Sequence, residues 1–232
     1  MRLDVLNEID KNINTNIKYA IFDIDGTISR TTILTLYTYM KQKKVNNKLL
    51  YSLWLIYFVT THIPFYLLID AVSREYFQKI FFLKLRGFSY SEICKESNEC
   101  FNERIVNLFI KETVELINYF KSKGIKIILL TVSIDPLVKH YADYFEAPYH
   151  CIKVKNINGK AVLDLSNHKN LKYNYIKSFN PNEIVTIADS KHDLPVLEYS
   201  KYSIVIARKE KPWIKKIKNK STTLIYKGND NK

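Results

Sequence analysis

The hydrophobic pattern of the chain alternates between short apolar runs and amphipathic segments. The apolar runs are rich in β-branched and aromatic residues and cover residues 18–24, 125–130, 183–188 and 202–207. Runs of this length, bounded by turn residues, predict strands that are buried on both faces. The amphipathic segments predict helices and cover residues 111–123, 135–146 and 169–179. This alternation predicts a doubly wound α/β fold, a parallel sheet with helices on both faces.

One long segment interrupts the alternation. Residues 34–108 have helical patterns only and follow directly on the first predicted strand. We therefore expect an α/β core domain formed by residues 1–33 and 109–232, with an all-helical cap domain of residues 34–108 inserted after the first strand. The basic tail is expected to end in a last strand near residues 222–226.

Two further features predict local structure after the second strand. Asp135-Pro136 is expected to open a helix, with the aspartate as N-cap and the proline at the first helical position. Residues 150–155 and 161–165 are predicted to be strands, joined through Asn158-Gly159 in a hairpin.

The predicted cap contains the most apolar stretch of the chain, residues 49–69, which carry no charge. Pro64 and the polar residues before it are expected to break a helix there, so our first interpretation is two buried cap helices or a dimer face. The alternative is an interfacial hairpin whose leading lysines lie on anionic lipid. The stretch is long enough to span a bilayer, but a single crossing would put the two ends of the cap on opposite sides.

The chain is basic, with 36 Lys and Arg against 23 Asp and Glu and a formal net charge of +13. One basic cluster lies in residues 208–220, and a second, of lysines at 41, 43, 44 and 48, precedes the apolar stretch. Such clusters suggest anionic partners, but no helix-turn-helix, RNP or zinc-finger pattern accompanies them. We expect no specific nucleic-acid partner and keep peripheral membrane contact through residues 41–69 as an alternative. The sequence leaves the oligomeric state open.

The cysteines and the N-terminus indicate a reducing compartment. Cys94, Cys100 and Cys151 are scattered and form no CxxC pair, which argues against a disulfide scaffold or a zinc site. The first residues lack an apolar signal region. The expected location is the cytoplasm, with the inner face of the membrane as the alternative.

Polar side chains follow three of the predicted strands where those strands end. They are Asp23 and Asp25, Thr131 and Ser133, and Asp189 and Asp193. Ligands of parallel sheets bind at the carboxyl ends of the strands, so we expect these residues to meet. Close carboxylates repel and need a cation or a shared proton, and hard oxygen ligands suit Mg²⁺. A carboxylate beside Mg²⁺ can attack phosphorus, while a second carboxylate serves as acid and base.

Three motifs carry a resemblance to the haloacid dehalogenase superfamily of phosphohydrolases. Residues 22–27 (FDIDGT) resemble its DxDGT motif, residues 129–131 (LLT) resemble its second motif, and residues 189–195 (DSKHDLP) resemble its fourth. The lysine of the third motif has two candidates, Lys172, which has an apolar residue four positions on, and Lys169. The helical insertion is similar to that of the subfamily containing phosphoserine phosphatases and bacterial phosphatidylglycerophosphatase C.

The resemblance implies a role for each matching residue. Asp23 would be the nucleophile and Asp25 the general acid and base, with Lys172 and Thr131 holding the phosphoryl group. Backbone and hydroxyl groups of the adjoining turns would complete the phosphate site, at Gly26, Thr27 and Val132. The implied cofactor is Mg²⁺, held by the carboxylates of Asp23 and Asp189, by the backbone carbonyl of Asp25 and with support from Asp193.

One departure from the resemblance concerns the substrate. Phosphoserine phosphatases have a glutamate nine residues after the nucleophile that binds the substrate's ammonium group, and here that residue is Thr32. We expect hydrolysis of a small phosphorylated metabolite or biosynthetic intermediate through an aspartyl-phosphate. The alternatives are a membrane-associated lipid phosphatase and a non-catalytic module that binds phosphate.

Overall fold

The main sheet of this computed structural model is parallel throughout. The structure describes residues 3–12, 16–166, 170–217 and 221–226. The strands are β1 Tyr19–Phe22, β2 Lys126–Ile134, β3 Tyr149–Ile152, β4 Val154–Ile157, β5 Lys160–Leu163, β6 Ile184–Ala188, β7 Tyr202–Ala207 and β8 Ser221–Tyr226. Six of them form one sheet in the order β3-β2-β1-β6-β7-β8. The predicted doubly wound α/β fold is confirmed, and the strand expected at the end of the basic tail forms its edge.

Ten α-helices accompany the strands in the described residues. They are α1 Leu3–Asn12, α2 Leu34–Val45, α3 Lys48–Tyr57, α4 Ile63–Val72, α5 Arg74–Phe82, α6 Tyr90–Cys100, α7 Lys111–Ser122, α8 Asp135–Phe145, α9 Leu171–Ile176 and α10 Leu194–Tyr199. Helices α2 to α6 lie between β1 and α7, where the sequence predicts the helical insertion. The domain limits at residues 33 and 108 stay a prediction.

The centre of the sheet fixes the position of the polar strand ends. β1 lies between β2 and β6, and its last residue, Phe22, is in register with Leu129 and with Ile187. All three side chains are buried, and Phe22 meets Phe120 of α7 edge to face. The residues that follow these strands therefore emerge at one edge of the sheet.

The segment after β2 departs from the prediction in two ways. β2 continues to Ile134 rather than ending at Leu130, and Ile134, not Asp135, is the N-cap of α8. The Asp135 carboxylate instead accepts a hydrogen bond of 2.8 Å from the backbone N–H of Val154. The side chain thus serves the start of β4, which explains why it does not cap its own helix.

The predicted hairpin is present, but its first strand is divided. β3 joins the main sheet, whereas β4 pairs antiparallel with β5 in a separate two-stranded sheet. Asn158 and Gly159 both have positive φ, as the tight turn of a hairpin requires. The Gly159 carbonyl accepts from the N–H of Tyr90, which ties the hairpin to α6.

Pro64 does not break the apolar stretch, contrary to the prediction. Residues Lys48–Val72 form one continuous helix, made of α3, a wide π-helical turn over residues 58–62, and α4. Within this turn, the hydroxyls of Thr60 and Thr61 donate to the carbonyls of Ile56 and Tyr57. Pro64 directly follows this wide turn, where the α-helical hydrogen-bond ladder already gives way to a bond five residues back, so the helix continues past the missing N–H.

The interpretation as two buried cap helices is also wrong, while the dimer face named with it stays a prediction. Its inner side is held by aromatic contacts, where Phe58 and Tyr66 are buried against Tyr37 and Phe81. Its outer side is open. We call the open side the exposed apolar surface, and it consists of Leu49, Leu50, Leu53, Ile56, Tyr57, Val59, Phe65, Leu67, Leu68 and Val72, each at least 50% exposed. In the described part of the chain this is the one helix long and apolar enough to cross a membrane.

Candidate active site

Asp23 lies at the carboxyl end of the central strand and is 7% exposed. Its backbone N–H donates to the Ile187 carbonyl, which continues the pairing of β1 with β6 by one residue. Its carboxylate has two side-chain donors, the ammonium of Lys172 at 2.6 Å from Oδ1 and the hydroxyl of Thr27 at 3.2 Å from Oδ2. The carboxylate is therefore fixed by groups from two separate segments of the chain.

Lys172, on α9, joins two of the predicted carboxylates. Its ammonium also donates to Asp193 Oδ1 at 2.6 Å. Burial lowers the pKa of Lys172, but the carboxylates of Asp193 and Asp23 more than offset this effect, so the pKa lies above its ordinary value. Lys172 stays charged and contacts the carboxylate of Asp23, the expected nucleophile. Lys169 lies outside the described residues.

Asp189 completes a cluster of three carboxylates. Oxygens of Asp23, Asp189 and Asp193 lie within 4.8 Å of one another. Gly26 approaches this cluster closely, because a Cβ placed there would lie 2.3 Å from Asp189 Oδ2. Its φ of +82° also favours glycine. A side chain at residue 26 would displace Asp189 and strain the backbone.

The charge balance of this cluster calls for a cation. Burial, with a contribution from the carboxylates of Asp193 and Asp189, raises the pKa of Asp23 to about 7 although the charge of Lys172 lowers it. One lysine cannot neutralise three carboxylates, and a buried carboxylate without a counter-charge is costly. The donors are hard oxygens, so the residues present fit Mg²⁺.

The Asp25 carboxylate lies at the end of a chain of hydroxyl groups. Its Oδ1 accepts a hydrogen bond of 2.6 Å from the Thr31 hydroxyl. A chain of 2.7 Å contacts continues from Thr31 to the Ser29 hydroxyl and from there to the hydroxyl of Tyr141 on α8. Sequence analysis missed these three hydroxyls. Thr31 and Ser29 follow the DxDGT motif closely enough to be suspected, whereas no local signal indicates Tyr141.

Thr131 and Ser133 approach the site from β2. Thr131 is buried, and its hydroxyl accepts a hydrogen bond from the Ser133 backbone N–H at 3.1 Å. Thr131, Val132 and Gly26 line the same cleft as the aspartates. Thr27, which the sequence analysis assigned to the same phosphate site, is fully buried beneath the cleft. Its hydroxyl lies within hydrogen-bond distance of the carboxylates of Asp23 and Asp189.

The cleft above these residues has a volume of about 500 Å³. Its floor is polar and comprises Asp23, Asp25, Lys172, Asp189 and Asp193. Its wall is largely apolar and includes Ile33, Leu34, Ile63, Tyr66, Leu67 and Phe77. Asp70 of α4 reaches across, with its carboxylate 3.9 Å from His192 Nε2 in the loop after β6. His192 also lines the cleft.

Structural comparison finds similar solved structures. A protein with unknown function from Bordetella pertussis Tohama I matches with a TM-score of 0.64 and 14% identity, over 91% of this chain and 99% of that one. A phosphoserine phosphohydrolase-like protein from Francisella tularensis subsp. tularensis SCHU S4 matches with a TM-score of 0.63 and 19% identity, over 91% and 96%. A phospho-aspartyl intermediate analogue of phosphoserine phosphatase matches with a TM-score of 0.56 and 15% identity, over 90% and 94%.

At these identities the structures show a shared fold. No curated protein matches the chain in sequence. The family evidence comes from a sequence model described as haloacid dehalogenase-like hydrolase, which matches residues 20–198 and so includes all three motifs. The chain belongs to the haloacid dehalogenase-like hydrolases.

Proposed function

We propose that the protein is a Mg²⁺-dependent phosphomonoester hydrolase that acts through an aspartyl-phosphate on Asp23. The observation that carries this proposal is the position of the Asp23 carboxylate, at the floor of a cleft, 2.6 Å from a buried lysine and beside two further carboxylates. This arrangement combines an oriented nucleophile with positive charge for a transferring phosphoryl group.

Asp23 supplies the attacking oxygen in this proposal. One carboxylate oxygen forms a bond to phosphorus as the bond from phosphorus to the leaving oxygen breaks. Lys172, already in contact with this carboxylate, offsets the negative charge of the transferring group. The raised pKa of Asp23 shows that the ionised form needs further positive charge nearby.

Asp25 supplies the proton in this proposal. It lines the cleft with Asp23, and its hydrogen bond from Thr31 fixes the orientation of its carboxyl group. Asp25 gives a proton to the leaving oxygen. It then takes a proton from the water that attacks the aspartyl-phosphate, which releases inorganic phosphate and regenerates Asp23.

The remaining polar groups of the cleft would bind either the cation or the phosphoryl group. Asp23, Asp189 and the backbone carbonyl of Asp25 would hold Mg²⁺, with Asp193 in support. When bound, the ion would neutralise charge on the phosphoryl oxygens. Thr131 and the backbone of the Gly26 and Val132 turns would hold the same oxygens from the other side.

The test is phosphate release from a panel of soluble and lipid phosphomonoesters, with Mg²⁺ or with chelator. Asp23→Asn is expected to lower turnover by about 10⁴-fold or more, because it removes the nucleophile. The matched control is Asp143→Asn, an exposed aspartate outside the cleft, which is expected to keep wild-type turnover. Turnover that ignores both Mg²⁺ and Asp23 would contradict the proposal.

The alternative function is a non-catalytic module that binds phosphate. It predicts saturable binding of phosphomonoesters with no Mg²⁺-dependent turnover. The intact Asp23 and Asp25 pair, with Lys172 in contact, favours catalysis instead. For the substrate, the sequence ranks a soluble metabolite first and a lipid phosphate second, and the presence of Thr32 in the cleft keeps phosphoserine in question.

A further inference from the structure

The exposed apolar surface extends along a helix of 25 residues, which is about 37 Å at 1.5 Å per residue. Single exposed leucines are ordinary on soluble proteins, but contiguous apolar patches of this extent mark sites of contact with another molecule or with lipid. Asp, Glu, Lys and Arg are all absent from residues 49–69, so no such charge interrupts this part of the surface. This surface therefore requires a partner.

The charge beside this surface favours an anionic partner. Lys48 begins the helix, and Lys41, Lys44 and Lys84 lie close enough that burial, together with the charges of Lys44 and Lys84, lowers the pKa of Lys41. The chain as a whole carries a net charge of +13. A second copy would bring a further net charge of +13 to the contact, whereas an anionic bilayer attracts lysines near its surface.

The inner side of the helix determines how it can meet a bilayer. Phe58 and Tyr66 are buried against Tyr37 and Phe81, so the helix lies along the body of the protein. Crossing the bilayer would require these aromatic contacts to be abandoned. A helix with one packed side and one open apolar side suits the plane of the interface.

The same helix forms a wall of the cleft. Leu67 belongs to the exposed apolar surface, at 63% exposed, and also lines the cleft with Ile63 and Tyr66. The apolar wall thus continues from the carboxylate floor to the surface that would face lipid. An amphiphile could place its phosphate on the floor and its apolar part along this wall.

We propose that the exposed apolar surface docks in the plane of an anionic bilayer, and that the adjacent cleft takes its phosphomonoester substrate from that bilayer. The second part rests on the proposed phosphatase function. The substrate class is then a lipid with a terminal phosphate, rather than a freely diffusing metabolite.

Docking is tested by flotation of the full chain with vesicles of phosphatidylcholine alone and with added phosphatidylglycerol. We expect binding to the anionic vesicles. The double variant Leu53→Glu/Ile56→Glu is expected to bind at least about tenfold more weakly, because it places charge at the interface. The matched control is Tyr144→Glu/Ile157→Glu, at two similarly exposed apolar positions outside the helix, which is expected to bind like the wild type.

The lysines are tested separately from the apolar contact. Lys44→Ala and Lys48→Ala are each expected to weaken binding to the anionic vesicles by a factor of about five, and added salt should reduce this difference. Lys139→Ala, at an exposed lysine on α8, is the control. Equal losses from all three variants would show nonspecific attraction by net charge and would overturn the assignment to this surface.

The substrate class is tested with phosphatidic acid in vesicles against glycerol 3-phosphate in solution. We expect wild-type turnover of the vesicle substrate to exceed that of the soluble one, and the Leu53→Glu/Ile56→Glu variant to lose only this advantage. A preference for glycerol 3-phosphate would overturn the lipid substrate and leave the phosphatase proposal standing. Vesicle binding without turnover of any substrate would instead overturn the phosphatase proposal. The proposed lipid substrate would fall with it, whereas the proposed docking on the bilayer would be supported.

A second copy of the chain is the competing occupant. Sedimentation of the wild type and the Leu53→Glu/Ile56→Glu variant distinguishes the two. A monomeric wild type that binds vesicles supports the proposal. A wild-type dimer that the variant dissociates, with no binding to anionic vesicles, would show that the surface is a dimer interface and would overturn the proposal.

Discussion

The carboxylate floor of the cleft and the exposed apolar surface beside it depart from the usual burial of their residue types in opposite ways. Asp23 is a buried charge, but it is held by Lys172 from another segment of the chain. Leu53 and Ile56 are apolar side chains, but more than half of the surface of each is exposed to solvent. The first region is completed by internal contacts and the second requires contact from outside. This difference is why the first supports a reaction and the second supports docking.

Among the variants that test this comparison, the largest effect should come from removing the lysine that balances the charge of the carboxylate floor. Lys172→Met is expected to lower kcat by about 10²- to 10³-fold, because the transferring group loses its positive charge. Lys169→Met is the matched control and is expected to leave kcat unchanged. Phosphate-release assays compare the two variants. A larger loss for Lys169→Met would assign the motif lysine to residue 169.

The next effect tests the two sides of the apolar helix. Phe58→Ala is expected to lower the free energy of unfolding by about 3 kcal/mol or more, because it leaves a cavity among buried aromatic side chains. Leu53→Ala, on the open side, is expected to change it by less than about 0.5 kcal/mol. Urea unfolding in the absence of lipid measures both. Similar losses would mean that the outer side is already covered in solution, and the comparison would fail.

A smaller effect concerns the pH dependence of stability. The pKa of Asp23 is about 7 in the folded protein against an ordinary value of 3.8, so the folded state binds this proton more tightly. The stability it contributes is present below about pH 3.8 and is lost as the pH rises through about 7. We expect the metal-free melting temperature of wild type to fall relative to that of Asp23→Asn over this range.

Magnesium should counteract this loss. Because the ion binds ionised carboxylates, the melting temperature of the wild type should rise more with Mg²⁺ above pH 7 than below pH 5, by an amount set by its affinity. Asp23→Asn should lose most of this response. A response to Mg²⁺ that is the same at both pH values would argue against metal binding at this floor.

The smallest effect tests the hydroxyl chain behind Asp25. Thr31→Val is expected to lower kcat about tenfold and to shift the acidic limb of its pH profile, because the Asp25 carboxyl loses a hydrogen-bond donor. Thr31→Ser keeps the hydroxyl and should restore both. A loss of kcat without a shift in the pH profile would show that Thr31 serves packing alone.

The sequence predicted those parts of the molecule that depend on local pattern. Apolar runs predicted the buried strands. The positions of the DxDGT and DSKHDLP motifs placed carboxylates at the ends of β1 and β6. Parallel register then brings them together, as the alignment of Phe22 with Leu129 and Ile187 shows. The α/β fold and the carboxylates of the cleft floor could therefore be predicted from patterns between residues close together in the sequence.

The parts that were missed depend on contacts between distant residues. Asp135 has the sequence signature of an N-cap, but its carboxylate accepts a hydrogen bond from Val154, nineteen residues away in the chain. Tyr141 reaches Ser29 from another helix, and no local spacing indicates that meeting. One interpretation of residues 49–69 was two buried cap helices, but tertiary packing rather than composition decides whether a side chain is buried.

The wide turn at residues 58–62 sets how α4 faces relative to α3. The N–H of Ile63 donates to the carbonyl of Phe58, five residues back, so this turn holds about one residue more than an α-helical turn. If the same residues were wound as an ordinary α-helix, α4 would be rotated by about 100° about the helix axis. Tyr66 would leave its buried position, and Leu67 would leave the cleft. The extra residue of one turn, far in the sequence from every carboxylate of the floor, is thus what keeps the lipid-facing wall beside the carboxylates it adjoins.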